Sequence, residues 1–345
     1  MASFNWTEIS DTCPEFTLSS SDFLLALVAL VGFVMNFKLQ RRFFKQLKGS
    51  VFLINLAACD TGICFIYIWK YFLPSIVMYL QSDVGLFSSR ENYNSQIQIL
   101  GEMRITFSFQ AEVFNAFYDT AMNLLILYIV IEKLLWTCRP RTRRFWRLFT
   151  SADYKFYLAV GTVCLSLIAA VFVAWRLGSF SESPFCDLQL SLVKFENPYL
   201  QFLQSNFLRT IYTSASLLTI TFVGIALCRV SKVGEGENPM AEEDISLSAY
   251  FELTVEYTKR SIHCMLFVAM TFFARDMFWY FVFNPSSEER HKESMHSRIL
   301  RNWTLDFMNV ILSGSRMVFY YLFCGKRMVL EFQPNGVRND FFLEL

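Results

Sequence analysis

The chain has 345 residues, of which 54% are hydrophobic and 18% are charged, and its formal net charge is +1. Soluble domains average roughly 45–50% apolar and about 25% charged residues, so this composition favours an integral membrane protein. A net charge so close to zero gives no indication of a nucleic-acid partner.

The apolar residues are clustered in seven stretches, each close to the roughly 20 residues that a helix needs to cross a bilayer. None of them alternates as the strands of a membrane barrel do. The sequence therefore predicts an all-α membrane protein, a seven-transmembrane helix bundle over residues 22–324. The predicted spans are 22–39, 50–73, 105–132, 156–176, 205–228, 261–283 and 303–324.

Charge on either side of the spans predicts their direction. A cleaved signal peptide has basic residues before its apolar run, whereas here acidic residues precede the first span and Arg41, Arg42 and Lys45 follow it. Lys and Arg are also more frequent in the loops that this direction places in the cytosol. We therefore expect residues 1–21 to be an extracellular tail, residues 325–345 a cytoplasmic tail, and the location to be the plasma membrane.

Two further features agree with this direction. The two Asn-X-Ser/Thr sequons, at Asn5 and Asn302, both fall outside, where glycosylation occurs. Of nine cysteines, only Cys13 and Cys186 fall on the oxidising side. They form either one disulfide or two free thiols.

Several short motifs in the predicted spans match one known family. They are Gly32 with Asn36, Asn55-Leu56-Ala57-Ala58-Cys59-Asp60, Glu132-Lys133-Leu134 followed by Pro140, and Tyr320-Tyr321. In these positions the chain resembles the divergent rhodopsin-like (class A) G-protein-coupled receptors, such as the nematode serpentine chemosensory and peptide receptors. It departs from the family pattern at Lys133, where the family has Arg. It also lacks the prolines of the helix-six and helix-seven motifs and the cysteine at the outer end of helix three.

The resemblance implies a core switch made of Asn36, Asp60, Arg316 and Tyr320, with a short amphipathic helix starting near Gly325. Arg316 stands at the position that resembles the family's helix-seven Asn. We expect it to form a direct ion pair with Asp60, because a lone buried charge is costly. The alternative is that Arg316 extends towards cytosolic water.

At the cytosolic end of the third span, the resemblance implies that Glu132 and Lys133 face a G protein. The alternative for these two residues is an ordinary charge pair at the membrane interface.

Polar residues within the outer halves of the spans predict a ligand site. In the third span, Glu112, Asn115, Asp119 and Asn123 recur at helical spacing on one face. We expect Arg275 to pair with Asp119 or Glu112. The predicted ligand-binding set is Glu112, Asn115, Asp119, Arg275, Asp276 and Asp306. Structural contact between helices is the alternative role for these residues.

The sequence thus predicts a cell-surface receptor for a small chemosensory molecule or a peptide, with a heterotrimeric G protein and membrane lipid as partners. The alternative is a seven-helix protein without G-protein coupling, such as a sensory channel subunit or a transporter. No enzyme motif, metal-ligand spacing or cofactor loop is found, so we expect no catalytic residues, no metal and no cofactor.

The predicted direction can be tested at the sequons. In animal cells, enzymatic removal of N-linked glycans should increase the mobility of the wild-type chain in two steps, one lost with Asn5→Gln and one with Asn302→Gln. The matched control is a new sequon at Asn238, made by Pro239→Ala with Met240→Thr in a predicted cytosolic loop. A glycan at Asn238 would contradict the predicted topology.

Overall fold

The structure is a computed structural model, and it describes residues 20–46, 51–83, 90–136, 149, 151–176, 179–180, 190–191, 198–235, 245–283 and 295–331. These residues form seven long helices and one pair of two-residue strands. The helices are α1 (Ser20–Gln46), α2 (Val51–Asp83), α3 (Arg90–Trp136), α4 (Ala152–Arg176), α5 (Pro198–Glu235), α6 (Ile245–Phe283) and α7 (Met295–Glu331). Strand β1 (Ser179–Phe180) pairs antiparallel with β2 (Leu190–Ser191), with Ser179 opposite Ser191.

Each predicted span overlaps one of these helices, but the helices are longer. The 47 residues of α3 rise about 70 Å at 1.5 Å per residue, more than twice the roughly 30 Å of a hydrocarbon core. The predicted short helix after the seventh span is not a separate element, because α7 continues through Gly325 to Glu331. A single glycine costs only about 1 kcal/mol in a helix interior, which does not suffice to end a helix.

Five helices contain a stretch long and apolar enough to cross a membrane, as expected of a helical membrane protein. These stretches are Asp22–Lys45, Val51–Leu73, Phe109–Leu135, Asp153–Trp175 and Thr210–Val230. Helices α6 and α7 carry charged residues within their apolar parts, Arg275 and Asp276 in α6 and Asp306 and Arg316 in α7.

Contacts between neighbouring helices arrange six of them in a closed ring. The order is α1, α2, α3, α5, α6 and α7, and α7 contacts α1 again. Helix α7 also contacts α2, and α3 also contacts α6, so α2, α3, α6 and α7 meet across the centre. Helix α4 packs against α3 and α2.

Large apolar side chains on the outer faces of α1 and α4 remain exposed. Val31 of α1 is 58% exposed, and Ile168 and Val171 of α4 are 65% and 67% exposed. Soluble proteins rarely expose apolar patches of more than a few hundred Å², so these faces are suited to contact with lipid.

Two glycines permit a close approach of α1 to α7. A Cβ added at Gly32 would lie 3.0 Å from Gly314 Cα and 2.9 Å from Cys64 Sγ, and one added at Gly314 would lie 3.3 Å from Gly32 Cα. Small residues at such interfaces allow helix backbones to approach closely in membranes. The Gly32 Cα therefore lies in the space that a side chain at position 314 of α7 would need.

Gly32→Ala should lower the free energy of unfolding by about 1–3 kcal/mol, because the new methyl group overpacks the α1–α7 contact. Gly161→Ala on α4 is the matched control. Nothing lies within 4 Å of its added Cβ, so it should be neutral or slightly stabilising through helix propensity. Denaturant titration in detergent micelles measures both. Equal stability of the two variants would show that the close contact is not required.

Candidate functional site

Seven charged side chains lie at the centre of the bundle, on α2, α3, α6 and α7. They are Asp60, Lys70, Asp119, Arg275, Asp276, Asp306 and Arg316. Most are almost fully buried: Asp60 and Asp276 are 0% exposed, and Arg275 and Arg316 are 5% exposed. Ionisable residues at membrane depth are costly and are usually paired and functional.

The network has two layers, an inner one around Asp60 and Arg316 and an outer one around Arg275. The inner layer contains the ion pair that the sequence predicted. Arg316 Nη1 on α7 lies 3.0 Å from Asp60 Oδ1 on α2 and donates to Met122 Sδ on α3, and its guanidinium is 4.3 Å from the centre of the Phe272 ring on α6. Arg316 therefore does not extend to water. The atoms of the pair are not aligned as a hydrogen bond, and Asp60 accepts none from the described residues.

Asn36 and Tyr320, the other predicted switch residues, lie near this pair but have different partners. The Asn36 amide on α1 donates to the Ser313 carbonyl oxygen on α7 over 2.8 Å. The Tyr320 hydroxyl on α7 is 2.9 Å from Ser261 Oγ on α6. Both contacts attach α7 to a neighbouring helix.

Arg275 on α6 is the centre of the outer layer. Its Nη1 donates to Asp119 Oδ1 on α3 and to Asn309 Oδ1 on α7, each over 3.1 Å. Its Nη2 donates to Asp276 Oδ1 over 3.1 Å. The predicted pairing of Arg275 with Asp119 is therefore present.

The other predicted candidate, Glu112, is exposed and does not contact Arg275. Residue 112 is on the same helical face as Asp119 but seven residues away, about 10 Å along the axis. Asn123, at the other end of this face, accepts a 3.4 Å hydrogen bond from Ser216 on α5. It joins α3 to α5 and is not among the contacts of Arg275.

Asp306 on α7 is surrounded by donors from α2 that the sequence analysis missed. Lys70 Nζ lies 2.7 Å from Asp306 Oδ2, the Tyr71 hydroxyl donates to the same oxygen, and the Tyr67 hydroxyl is 3.3 Å from Oδ1. The Tyr67 hydroxyl also accepts from Asn309 over 3.1 Å and from Asn115 over 3.3 Å. It thereby connects the Asp306 and Arg275 groups.

A sequence signal for these missed residues did exist. Tyr67 and Tyr71 follow Asp60 by seven and eleven residues, and Asn309 precedes Arg316 by seven. Such spacings place residues on one face of a helix.

Phe272 connects the two layers. Its buried ring lies under both guanidinium groups, with Arg275 Cζ 4.8 Å and Arg316 Cζ 4.3 Å from the ring centre. A cation over an aromatic face is attracted by about 0.5–2 kcal/mol. Because both arginines share one ring, a shift of either would alter the contacts of the other.

At the C-terminal end of α3, Glu132 pairs with a residue that the sequence did not predict. Lys155 on α4 is 7% exposed, and its Nζ donates to Glu132 Oε1. Lys133, its neighbour on α3, is half-buried. The pair thus joins α3 to α4 at the edge of the bundle.

Some predicted sites cannot be described. Cys13, Cys186 and Asn5 lie outside the described residues, as does the side chain of Asn302 on α7. Among the described residues, Cys59, Cys64, Cys164 and Cys228 are in the thiol form. No group of three His, Cys, Asp or Glu side chains in the described part of the chain is placed to bind a metal.

No protein-family model matches this chain, and no curated protein matches it either. Its function must therefore be inferred from the buried network. Three cations and four carboxylates meet there across four helices.

The Asp60–Arg316 pair can be tested by a double-mutant cycle. Arg316→Met and Asp60→Asn should each lower the free energy of unfolding by about 3–5 kcal/mol, because each leaves a buried charge without its partner. The double variant should lose less than the sum of the two, since neither charge remains. Denaturant titration in micelles measures the cycle.

The matched control is Arg260→Met with Glu256→Gln on α6. These residues form an exposed pair at 2.7 Å with side chains 49% and 43% exposed, and such pairs contribute about 0–1 kcal/mol. Strictly additive losses at Asp60 and Arg316 would rule out their coupling.

Proposed function

We propose that this chain is a seven-helix receptor of the plasma membrane that binds an extracellular small molecule or peptide and signals through a heterotrimeric G protein. The observation that carries the proposal is the buried charged network from Lys70 and Asp306 to Asp60 and Arg316, whose two layers are joined by the Phe272 ring. The presence of Asn36 and Asp60, both fully buried beside α7, adds to the resemblance to rhodopsin-like receptors.

The outer end of the network is where a ligand would act in this proposal. Lys70 and Asp306 remain 16% and 10% exposed, and Asp119 is 22% exposed. A ligand with charged or hydrogen-bonding groups would compete for these side chains and change the partners of Arg275. It shifts the equilibrium between helix arrangements only if it binds them unequally.

The signal would reach the cytosolic side through α6 and α7. Arg275 and Arg316 share the Phe272 ring, and α6 and α7 are further joined by the hydrogen bond between Ser261 and Tyr320. A G protein would bind at the end of the bundle where Glu132, Lys133 and Lys155 lie. Lys133 keeps the positive charge of the family's Arg but lacks its planar set of five donors.

The same network supports a second candidate, a seven-helix channel subunit or transporter without G-protein coupling. Buried acidic residues in membrane proteins often mark ion pathways or proton relays. Here Asp306, Tyr67, Asn309 and Arg275 form an unbroken series of hydrogen bonds. Proton or ion movement along this series would need no partner in the cytosol.

Ligand-free nucleotide exchange tests the receptor proposal. The full-length chain is reconstituted in vesicles with purified G-protein heterotrimers of each major class, and GTP-analogue binding is followed over time. Asp119→Asn should raise basal exchange several-fold over the wild type, because loss of the interhelix ion pair frees α6 from α3. Asp153→Asn, at an exposed position of α4, is the matched control and should leave the rate unchanged.

Exchange no faster than in empty vesicles, for wild type and Asp119→Asn with every heterotrimer, would contradict the proposal. A current or pH change across vesicles without G protein, lost in Asp306→Asn, would favour the second candidate.

A further inference from the structure

A cleft on the outer surface of the bundle, between α6 and α7, is not used by the proposed signalling path. Its volume is about 270 Å³. Ser261 and Tyr320, which are hydrogen-bonded behind it, separate it from the buried network. The cleft is lined by Arg260, His263, Cys264, Phe267, Phe319 and Phe323.

The walls of the cleft are aromatic and accessible. Phe267, Phe319 and Phe323 are 54%, 41% and 60% exposed. The Phe267 and Phe319 ring centres are 5.7 Å apart, and Phe319 stacks on Phe323 at 6.3 Å. The rings thus form a continuous apolar surface across the two helices.

One end of the cleft is basic. Lys259, Arg260 and His263 are all exposed within about one turn of α6. Arg260 donates to Glu256 through Nη2, and a guanidinium has five N–H donors, so donors remain for another anion. His263 Nδ1 is 2.7 Å from the Lys259 carbonyl oxygen. That oxygen only accepts, so Nδ1 carries the proton of the neutral ring and Nε2 is an acceptor.

We propose that this cleft binds one anionic phospholipid from the leaflet on the Arg260 side. The lipid phosphate contacts Arg260, and an acyl chain lies along the phenylalanine rings. Charge complementarity selects an anionic headgroup, because a guanidinium and a phosphate form charge-assisted hydrogen bonds. In sequence, Lys326 and Arg327 follow Phe323 by three and four residues.

The length of the cleft agrees with a lipid. From Arg260 to Phe267 the distance along α6 is about 10 Å, which fits within the roughly 15 Å depth of one hydrocarbon leaflet. In the predicted topology this is the cytosolic leaflet, which is rich in anionic lipids.

Photo-crosslinking tests the proposal on the full-length chain in nanodiscs of phosphatidylcholine. Phosphatidylinositol and phosphatidylcholine probes carry the same diazirine in one acyl chain, and labelled peptides are identified by mass spectrometry. The phosphatidylinositol probe should label residues 261–267 and 319–323 at least fivefold more than the phosphatidylcholine probe. Equal labelling by both probes would show unspecific lipid contact and overturn the proposal.

Lys259→Gln with Arg260→Gln should reduce phosphatidylinositol labelling to the phosphatidylcholine level. Arg229→Gln, at an exposed position of α5, is the matched control and should leave it unchanged. With the wild-type chain, 0.5 M salt should also lower the preference for the phosphatidylinositol probe over the phosphatidylcholine probe, because salt screens exposed charges. Labelling that resists both the double variant and salt, or that is displaced by a neutral sterol, would overturn the proposal. This inference requires membrane insertion but not G-protein coupling.

Discussion

The burial of charge is the constraint on which the rest of this structure depends. Between helices in a bilayer there is no hydrophobic driving force, since lipid tails are as apolar as the side chains they contact. Apolar faces alone would therefore allow several rotations and depths for each helix. The buried ions do not allow this, because a charge without its partner costs several kcal/mol. Asp60 with Arg316, and Asp119 with Arg275, thus fix the register of α2, α3, α6 and α7.

The remaining helices are attached by simpler contacts. Helix α1 is held against α7 by the glycine contact and by the Asn36 amide, and α4 is joined to α3 by Lys155 and Glu132. Helix α1 also packs extensively against α2, and α4 against α3. The four central helices share contacts at several depths, so a change at one depth is transmitted to the next. A device for signalling or transport is therefore expected among α2, α3, α6 and α7.

The sequence was sufficient to predict where the helices lie, because the length and apolarity of a segment are local properties. It also predicted the Asp60–Arg316 and Asp119–Arg275 contacts, since few other charges lie deep in the spans. The sequence did not predict contacts that depend on the depth of a residue in the bundle or on its neighbours from other helices. Glu112 is on the correct face of α3 but at a different level, and Lys70, near the end of the predicted second span, was assigned no role. Phe272 is one of 38 phenylalanines, and nothing in the sequence distinguishes a ring that lies under two arginines.

The charge balance of the network indicates how it could change state. Three cations, Lys70, Arg275 and Arg316, face four carboxylates, so two carboxylates, Asp119 and Asp276, share Arg275. If Arg275 moves towards one of them, the other needs a new source of positive charge. A ligand group, a cation or a proton can supply it, and these correspond to the receptor, ion-channel and proton-transport alternatives. The sharing of Arg275 is therefore the feature of the network on which each of these proposed functions depends.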